Sequence, residues 1–142
     1  MNESELPPTF QEMLAVLRRE RDEHARVDAV ESNFAYVFVH ALRKPVKENE
    51  PEDHLGGWLR IPVSFPDNGP WGLVTIVPLP GKNGGINGDN HNPGHGNASP
   101  VRGRGGDHYY SWTWSESPPV RSPADILGVV RWFERRIRLG MT

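Results

Sequence analysis

The side chains best suited to chemistry lie in and beside a Gly-rich segment, Gly81 to Gly106, which holds nine of the chain's 15 glycines. The segment contains Asp89, His91 and His95, and Asp107 and His108 follow it directly. Zinc accepts imidazole and carboxylate ligands. However, two histidines four residues apart share one face only in a helix, and glycine and proline exclude a helix here. A metal site is therefore the weaker alternative, and we predict no metal and no other cofactor.

The same segment does not match a phosphate-binding loop, since it lacks Gly-Lys-Ser/Thr and no helix follows directly. Arg102 and Arg104 between glycines are a weak sign of RNA contact. The whole chain carries 16 Lys and Arg against 18 Asp and Glu, a formal net charge of -2. A near-neutral balance argues against a protein built to bind nucleic acid, so we predict no such partner.

The composition also limits the redox chemistry and the cellular location. Cysteine is absent, which excludes disulfides, thiolate metal sites and thiol catalysis in the chain as written. No apolar run of roughly 18 residues is present, so we expect no membrane contact. The N-terminus is acidic and lacks the apolar core of a secretory signal. We predict one domain over residues 1–142, located in the cytoplasm.

Two helices are predicted at the ends of the domain. The first runs from Thr9 to Arg21, where Thr9 and Glu12 have the spacing of a capping box. The second begins with Ser122 as N-cap and Pro123 in the first turn, and Gly140 is a plausible stop. Their apolar stripes are Phe10, Met13, Leu14 and Leu17 in the first helix, and Ile126, Val129, Val130, Phe133 and Ile137 in the second.

Four strands are predicted between the helices, at residues 26–30, 34–42, 57–65 and 71–77. Pro62 moves the third strand toward a sheet edge or a bulge, because proline cannot donate to a ladder. The short connections favour an antiparallel meander. The Gly-rich segment is too polar for a strand, and residues 107–114 are either a strand or an aromatic plug over the sheet. The fold class is therefore α+β, with helices packed on one antiparallel sheet.

Three sequence patterns follow one another in a characteristic order. They are Gly-Trp-Leu-Arg-Ile-Pro-Val-Ser-Phe-Pro at 57–66, Pro-Trp-Gly-Leu-Val-Thr-Ile at 70–76 and His-Asn-Pro at 91–93, followed by Trp112, Trp114 and the helix from Pro123. This order resembles the ubiquitin-conjugating (UBC) enzymes, particularly the divergent ones of bacterial operons. The third pattern is a scrambled form of the family's His-Pro-Asn. The resemblance covers nearly the whole chain and implies a UBC-like fold with a long active-site loop.

The resemblance implies transthiolation. In that family a cysteine thiolate takes the C-terminal acyl group of a ubiquitin-like protein from an activating enzyme, and an amine then attacks the thioester. An asparagine stabilises the oxyanion, a role that falls to Asn92 here, with Asn90 and Asn97 as alternatives. The neighbouring histidines, His91, His95 and His108, are candidates for orienting groups or assisting proton transfer.

The nucleophile of this chemistry is missing. The resemblance implies that Ala98 occupies the position of the family's cysteine, with Ser99 as the next candidate position. Either alanine has replaced a natural cysteine, or the chain is a natural inactive variant that binds partners without forming a thioester. In both cases we expect the chain as written to be inactive.

The resemblance also implies partner contacts. The first helix would dock an activating enzyme, and its basic end at Arg18 and Arg19 is either a docking face or simply a solvated helix end. Phe65, Pro66 and Trp112 are the other predicted contacts of a ubiquitin-like partner or activating enzyme. The target protein is not predicted. Two further functions stay open: a non-catalytic adaptor that binds a ubiquitin-like protein, and a metal-dependent hydrolase using the histidines. A role in bacterial antiphage conjugation comes from the resemblance alone.

Overall fold

An N-terminal helix, an antiparallel sheet and a C-terminal helix form the α+β fold of the computed structural model. The structure describes residues 3–31, 33–44, 53–66, 72–75, 91–93, 101, 108–111 and 120–139. Its helices are α1 (Pro8–Glu20) and α2 (Ile126–Leu139), and its strands are β1 (Arg26–Glu31), β2 (Phe34–Lys44), β3 (Asp53–Pro62), β4 (Gly72–Thr75), β5 (His91–Pro93) and β6 (His108–Ser111).

The strands form one sheet in the order β1-β2-β3-β4-β6-β5, with every neighbouring pair antiparallel. The first four strands are the predicted meander, and Asn33 makes the turn between β1 and β2 with a φ of 68°, a conformation that asparagine tolerates well. The prediction that Pro62 would move β3 toward an edge or a bulge is wrong, because β3 is central and the register shift in its pairing with β2 lies between Val39 and Leu42, away from Pro62. Pro62 is the last residue of a central strand, so the missing N–H falls at the end of the ladder.

Two strands lie beyond the predicted four. Residues His91–Pro93 form β5 inside the Gly-rich segment, so the expectation that this segment is too polar for a strand is wrong there. Of the two alternatives for residues 107–114, the strand is confirmed over His108–Ser111. Backbone pairing with β6 forms β5, and this pairing needs no apolar side chains.

Helix α1 begins one residue before the predicted position and without the predicted capping box. Its N-cap is Pro7, no side chain caps it, and Pro8 occupies the first turn. Proline suits that position because its φ is already helical and it has no N–H to satisfy, so Thr9 is not needed as a cap. The predicted apolar stripe is confirmed, since all four of its residues are buried.

Ser122 is an N-cap, as predicted, but it caps a 3-10 turn at Pro123–Asp125. The α-helix α2 begins only after that turn, at Ile126. The Asp125 carboxylate accepts the backbone N–H groups of Arg121 at 2.8 Å and Ser122 at 3.0 Å. The five residues of the predicted stripe are buried, and the predicted stop at Gly140 lies outside the described residues. In the ranges given above, no helix is both long and apolar enough to cross a membrane.

The two faces of the sheet differ in what covers them. Both helices pack on one face and form the main core with inward residues such as Val37, Leu59 and Leu73. The opposite face, called the outer face here, carries a smaller buried cluster of Tyr36, Trp58, Val74 and Val101. Alternation along the strands thus divides the sheet into a helix-covered side and a side left for other contacts.

Candidate functional site

One residue of the Gly-rich segment, Val101, packs on the outer face of the sheet. Val101 is 1% exposed and packs with Tyr36, Trp58 and Val74. Burying an aliphatic side chain of this size contributes roughly 1.5–3 kcal/mol, so Val101 is an anchor. The predicted catalytic position, Ala98, lies three residues before it in the sequence, so the outer face is the candidate location of the site.

The strand register places Asn92 on this face. Asn92 pairs with Tyr109, Tyr109 pairs with Val74, and Val74 pairs with Trp58. Directly paired residues of an antiparallel sheet belong to the same face. The predicted oxyanion donor therefore occupies the same register row as two residues of the outer-face cluster.

The predicted histidines do not share that row. His91 is one residue before Asn92 and pairs with Tyr110, which pairs with the core residue Leu73. His108 pairs with both Pro93 and Thr75. Successive residues of a strand alternate between faces, so the register brings Asn92 to the outer-face row and puts His91 on the alternate row.

The remaining predicted catalytic residues, Ala98 and His95, lie outside the described residues, as does Trp112. So do the alternative positions Asn90, Asn97 and Ser99. Their assignments stay predictions.

The predicted docking arginines of α1 have different environments. Arg18 is held within the chain, because its Nη1 is 2.6 Å from Glu3 Oε1 and its Nε donates to the Ala25 carbonyl at 2.8 Å. Arg19 is 66% exposed and contacts Glu20 at 2.9 Å. An exposed pair of this kind contributes little to stability. Because 66% of the Arg19 side chain is exposed against 34% of the Arg18 side chain, Arg19 is the more accessible of the two.

The predicted contact at Phe65 and Pro66 is mostly internal. Phe65 is buried in the main core, and Pro66 is half-buried after a cis peptide bond. The Phe-Pro motif thus closes the turn after β3 and packs its ring under the helices. The contact of Pro66 with a partner stays a prediction.

A polar network that the sequence did not predict crosses β1, β2 and β3. The Asp22 carboxylate accepts the His40 backbone N–H at 2.7 Å and lies 3.0 Å from His40 Nδ1. His40 Nε2 is 3.1 Å from Arg26 Nη1. Asp28 then accepts hydrogen bonds from Arg26 Nε and Trp58 Nε1, each at 2.8 Å. The network therefore runs from the end of α1 to the outer-face cluster.

The network changes the pKa of the Asp22 carboxyl. Burial alone would raise its pKa, but the backbone N–H groups of His40 and His24 and the His40 ring stabilise the carboxylate and lower the pKa on balance. One tautomer of His40 satisfies both ring contacts: Nδ1 donates to Asp22, and Nε2 accepts from Arg26. Since Arg26 occupies Nε2, this Asp-His pair supports the fold and does not present a free base.

Phe38 packs at the centre of the network. Its ring meets the His40 ring at 4.6 Å and the Trp58 ring at 4.9 Å, both edge-on, and the Arg26 guanidinium lies 4.5 Å above it. A charged residue between apolar neighbours, as Asp28 is in β1, was the one sequence signal for such a network. Its partners come from other strands and needed the register.

No family model, curated protein or solved structure matches this chain. The likeness to ubiquitin-conjugating enzymes therefore rests on the sequence motifs. Within the described ranges, no three His, Asp or Glu side chains form a group able to hold a metal ion.

Proposed function

We propose that this chain is a UBC-like protein of a bacterial ubiquitin-like conjugation system. The observation that carries the proposal is the order of elements: an N-terminal helix, a four-strand meander, the Gly-rich segment and a C-terminal helix. The motif at residues 57–66 supports it, because these residues form most of β3 and the turn that follows.

The proposed chemistry is acyl transfer at the Gly-rich segment. With cysteine at position 98, its thiolate would attack the carbonyl carbon of the activating enzyme's thioester, form a new S–C bond and expel the other thiolate. A target amine would then form an amide and release the cysteine. The position of Asn92 in the outer-face row supports it as the donor to the oxyanion of both steps. Alanine at position 98 supplies no nucleophile.

The absence of cysteine favours a second candidate function. A UBC-like adaptor would bind a ubiquitin-like protein and hold it near a partner without a covalent step. Such binding needs no nucleophile, so the absence of cysteine does not oppose it.

Restoring the thiol separates the two functions. We expect Ala98→Cys, given the cognate activating enzyme, ATP and ubiquitin-like protein, to form an adduct on a non-reducing gel that thiols remove. Ser64→Cys is the matched control, since Ser64 is exposed in the turn after β3. Adduct formation at Ala98→Cys or Ser99→Cys but not at Ser64→Cys supports conjugation. If neither variant forms it while the unmodified chain binds the ubiquitin-like protein, the chain is an adaptor.

A second variant tests the role of Asn92. In the Ala98→Cys background, Asn92→Ala should slow discharge of the thioester to lysine by about 100-fold or more, the usual effect of removing one oxyanion donor. Equal discharge rates with and without Asn92 would move the role to Asn90 or Asn97, whose alanine variants provide the comparison.

A further inference from the structure

One arginine lies almost buried in the outer face. Arg60 of β3 is 8% exposed. It pairs in register with Tyr36 on β2 and with Gly72 on β4. Because Gly72 has no side chain, the residue next to Arg60 on that side contributes only backbone.

The guanidinium is held in a defined orientation. Its Nε donates to the Tyr36 hydroxyl at 3.1 Å, and its Cζ lies 3.5 Å above the centre of the Phe34 ring. Both contacts fix the plane of the group. They use the Nε edge and one flat surface, and they leave the two terminal nitrogens as the donors that remain.

No anion in the described part of the chain balances this charge. No carboxylate of the described residues lies within ion-pair distance of Arg60. Among these residues, the Tyr36 hydroxyl is the one group that accepts a hydrogen bond from the Arg60 side chain. A buried charge without an opposite charge is costly. The half-buried arginines elsewhere in the described residues, Arg18, Arg21 and Arg26, each have a carboxylate partner.

We propose that Arg60 is the anchor of an oxyanion-binding subsite on the outer face of the sheet. The ligand it would take is a carboxylate or phosphate group, because the terminal nitrogens of a guanidinium match two oxygens of either group. Tyr36 and Phe34 are the positioning residues of this subsite. The subsite stands on its own contacts and does not require the proposed conjugation chemistry.

Titration of the unmodified chain with sodium phosphate and with sodium acetate tests the subsite. The readout is the Nε–H signal of Arg60 in the nitrogen-correlated NMR spectrum, with sodium chloride at the same ionic strength as control. We expect the signal to shift and saturate with phosphate, with acetate, or with both, and the stronger response identifies the ligand group. Saturation should occur at millimolar concentration, as for a small ligand held by about 4 kcal/mol.

Substitutions show whether the response belongs to Arg60. Arg60→Lys keeps the charge but loses the planar pair of donors, so the affinity should fall about tenfold or more. Tyr36→Phe should weaken it by a few fold, because the guanidinium loses its hydrogen bond. Arg131→Lys, on an exposed arginine of α2, should leave the affinity unchanged.

The unmodified chain decides the question even if Arg60→Lys does not fold. A linear, non-saturating shift equal to that in chloride would overturn the proposal, and so would a signal that does not move. Either result would mean that the charge of Arg60 is balanced from within the chain. An affinity lowered equally by Arg131→Lys would likewise overturn it, since the response would then be general charge attraction.

Discussion

Replacing Asp28 by alanine tests whether the polar network holds the outer face together. The Asp28 side chain is 4% exposed and accepts hydrogen bonds from Arg26 and Trp58, each at 2.8 Å. Removing the carboxylate takes the acceptor from both donors at once, and the two donors differ in how readily water can replace it.

The indole of Trp58 should account for most of the loss. Trp58 is buried, so its N–H would remain without an acceptor, which costs about 1–3 kcal/mol. The Arg26 side chain is 44% exposed and can turn to water, so its share should be below about 1 kcal/mol. We therefore expect Asp28→Ala to lower the free energy of unfolding by about 1–4 kcal/mol.

Urea unfolding followed by circular dichroism measures the loss of stability and how much of it comes from Trp58 and how much from Arg26. Two double-mutant cycles are needed, one combining Asp28→Ala with Trp58→Phe and one combining it with Arg26→Gln. Glu12→Ala is the control, because Glu12 is an exposed carboxylate on α1, and it should change stability by less than about 0.5 kcal/mol.

The coupling energy of Asp28 with Trp58 should exceed its coupling energy with Arg26. The reasoning is refuted if the order is reversed, or if Asp28→Ala costs no more than Glu12→Ala. Either result would mean that burial of the indole does not set the strength of this hydrogen bond.

Two further predictions concern Asp22 and the helix starts. The pKa of the Asp22 carboxyl is lowered in the folded chain, so its stabilising effect is complete above the unfolded pKa of about 3.9 and is lost as the pH falls through the folded pKa. Urea unfolding below about pH 5 should show this loss, and a decline just as steep in Asp22→Asn would contradict it. Asp125→Ala should cost about 0.5–2 kcal/mol in thermal or urea unfolding because α2 loses its N-terminal acceptor, whereas Thr9→Ala should cost below about 0.5 kcal/mol. Equal losses would restore Thr9 as a cap.

The parts of the fold that the sequence predicted are those set by local periodicity. The buried stripes of both helices and the meander follow from the spacing of apolar residues. The start of α1 was misplaced because Thr9 and Glu12 match a capping pattern that Pro8 makes unnecessary. The capping pattern shows that Thr9 is able to cap a helix, but Pro8 already begins this one, so Thr9 does not cap it.

The parts that the sequence missed depend on pairing between distant strands. Strand β5 exists because the backbone of His91–Pro93 pairs with β6, and no side-chain pattern records that pairing. The contact of Asp28 with Trp58 likewise needed the register of β1, β2 and β3. Of the candidate site, the sequence predicted Asn92 as a donor, and only the register put it in one row with Trp58 and Val74.

The strand order has a consequence for how the chain assembles. Strands β1 to β4 pair with their neighbours in sequence, whereas β4 and its partner β6 are separated by residues 76–107. Loop closure costs entropy before its contacts form, so non-local pairing is slow. The sheet should therefore grow from the β1 side, with β6 and β5 added last. The same strands should be the first to open in the native protein, which would release Asn92 from its row without unfolding the core.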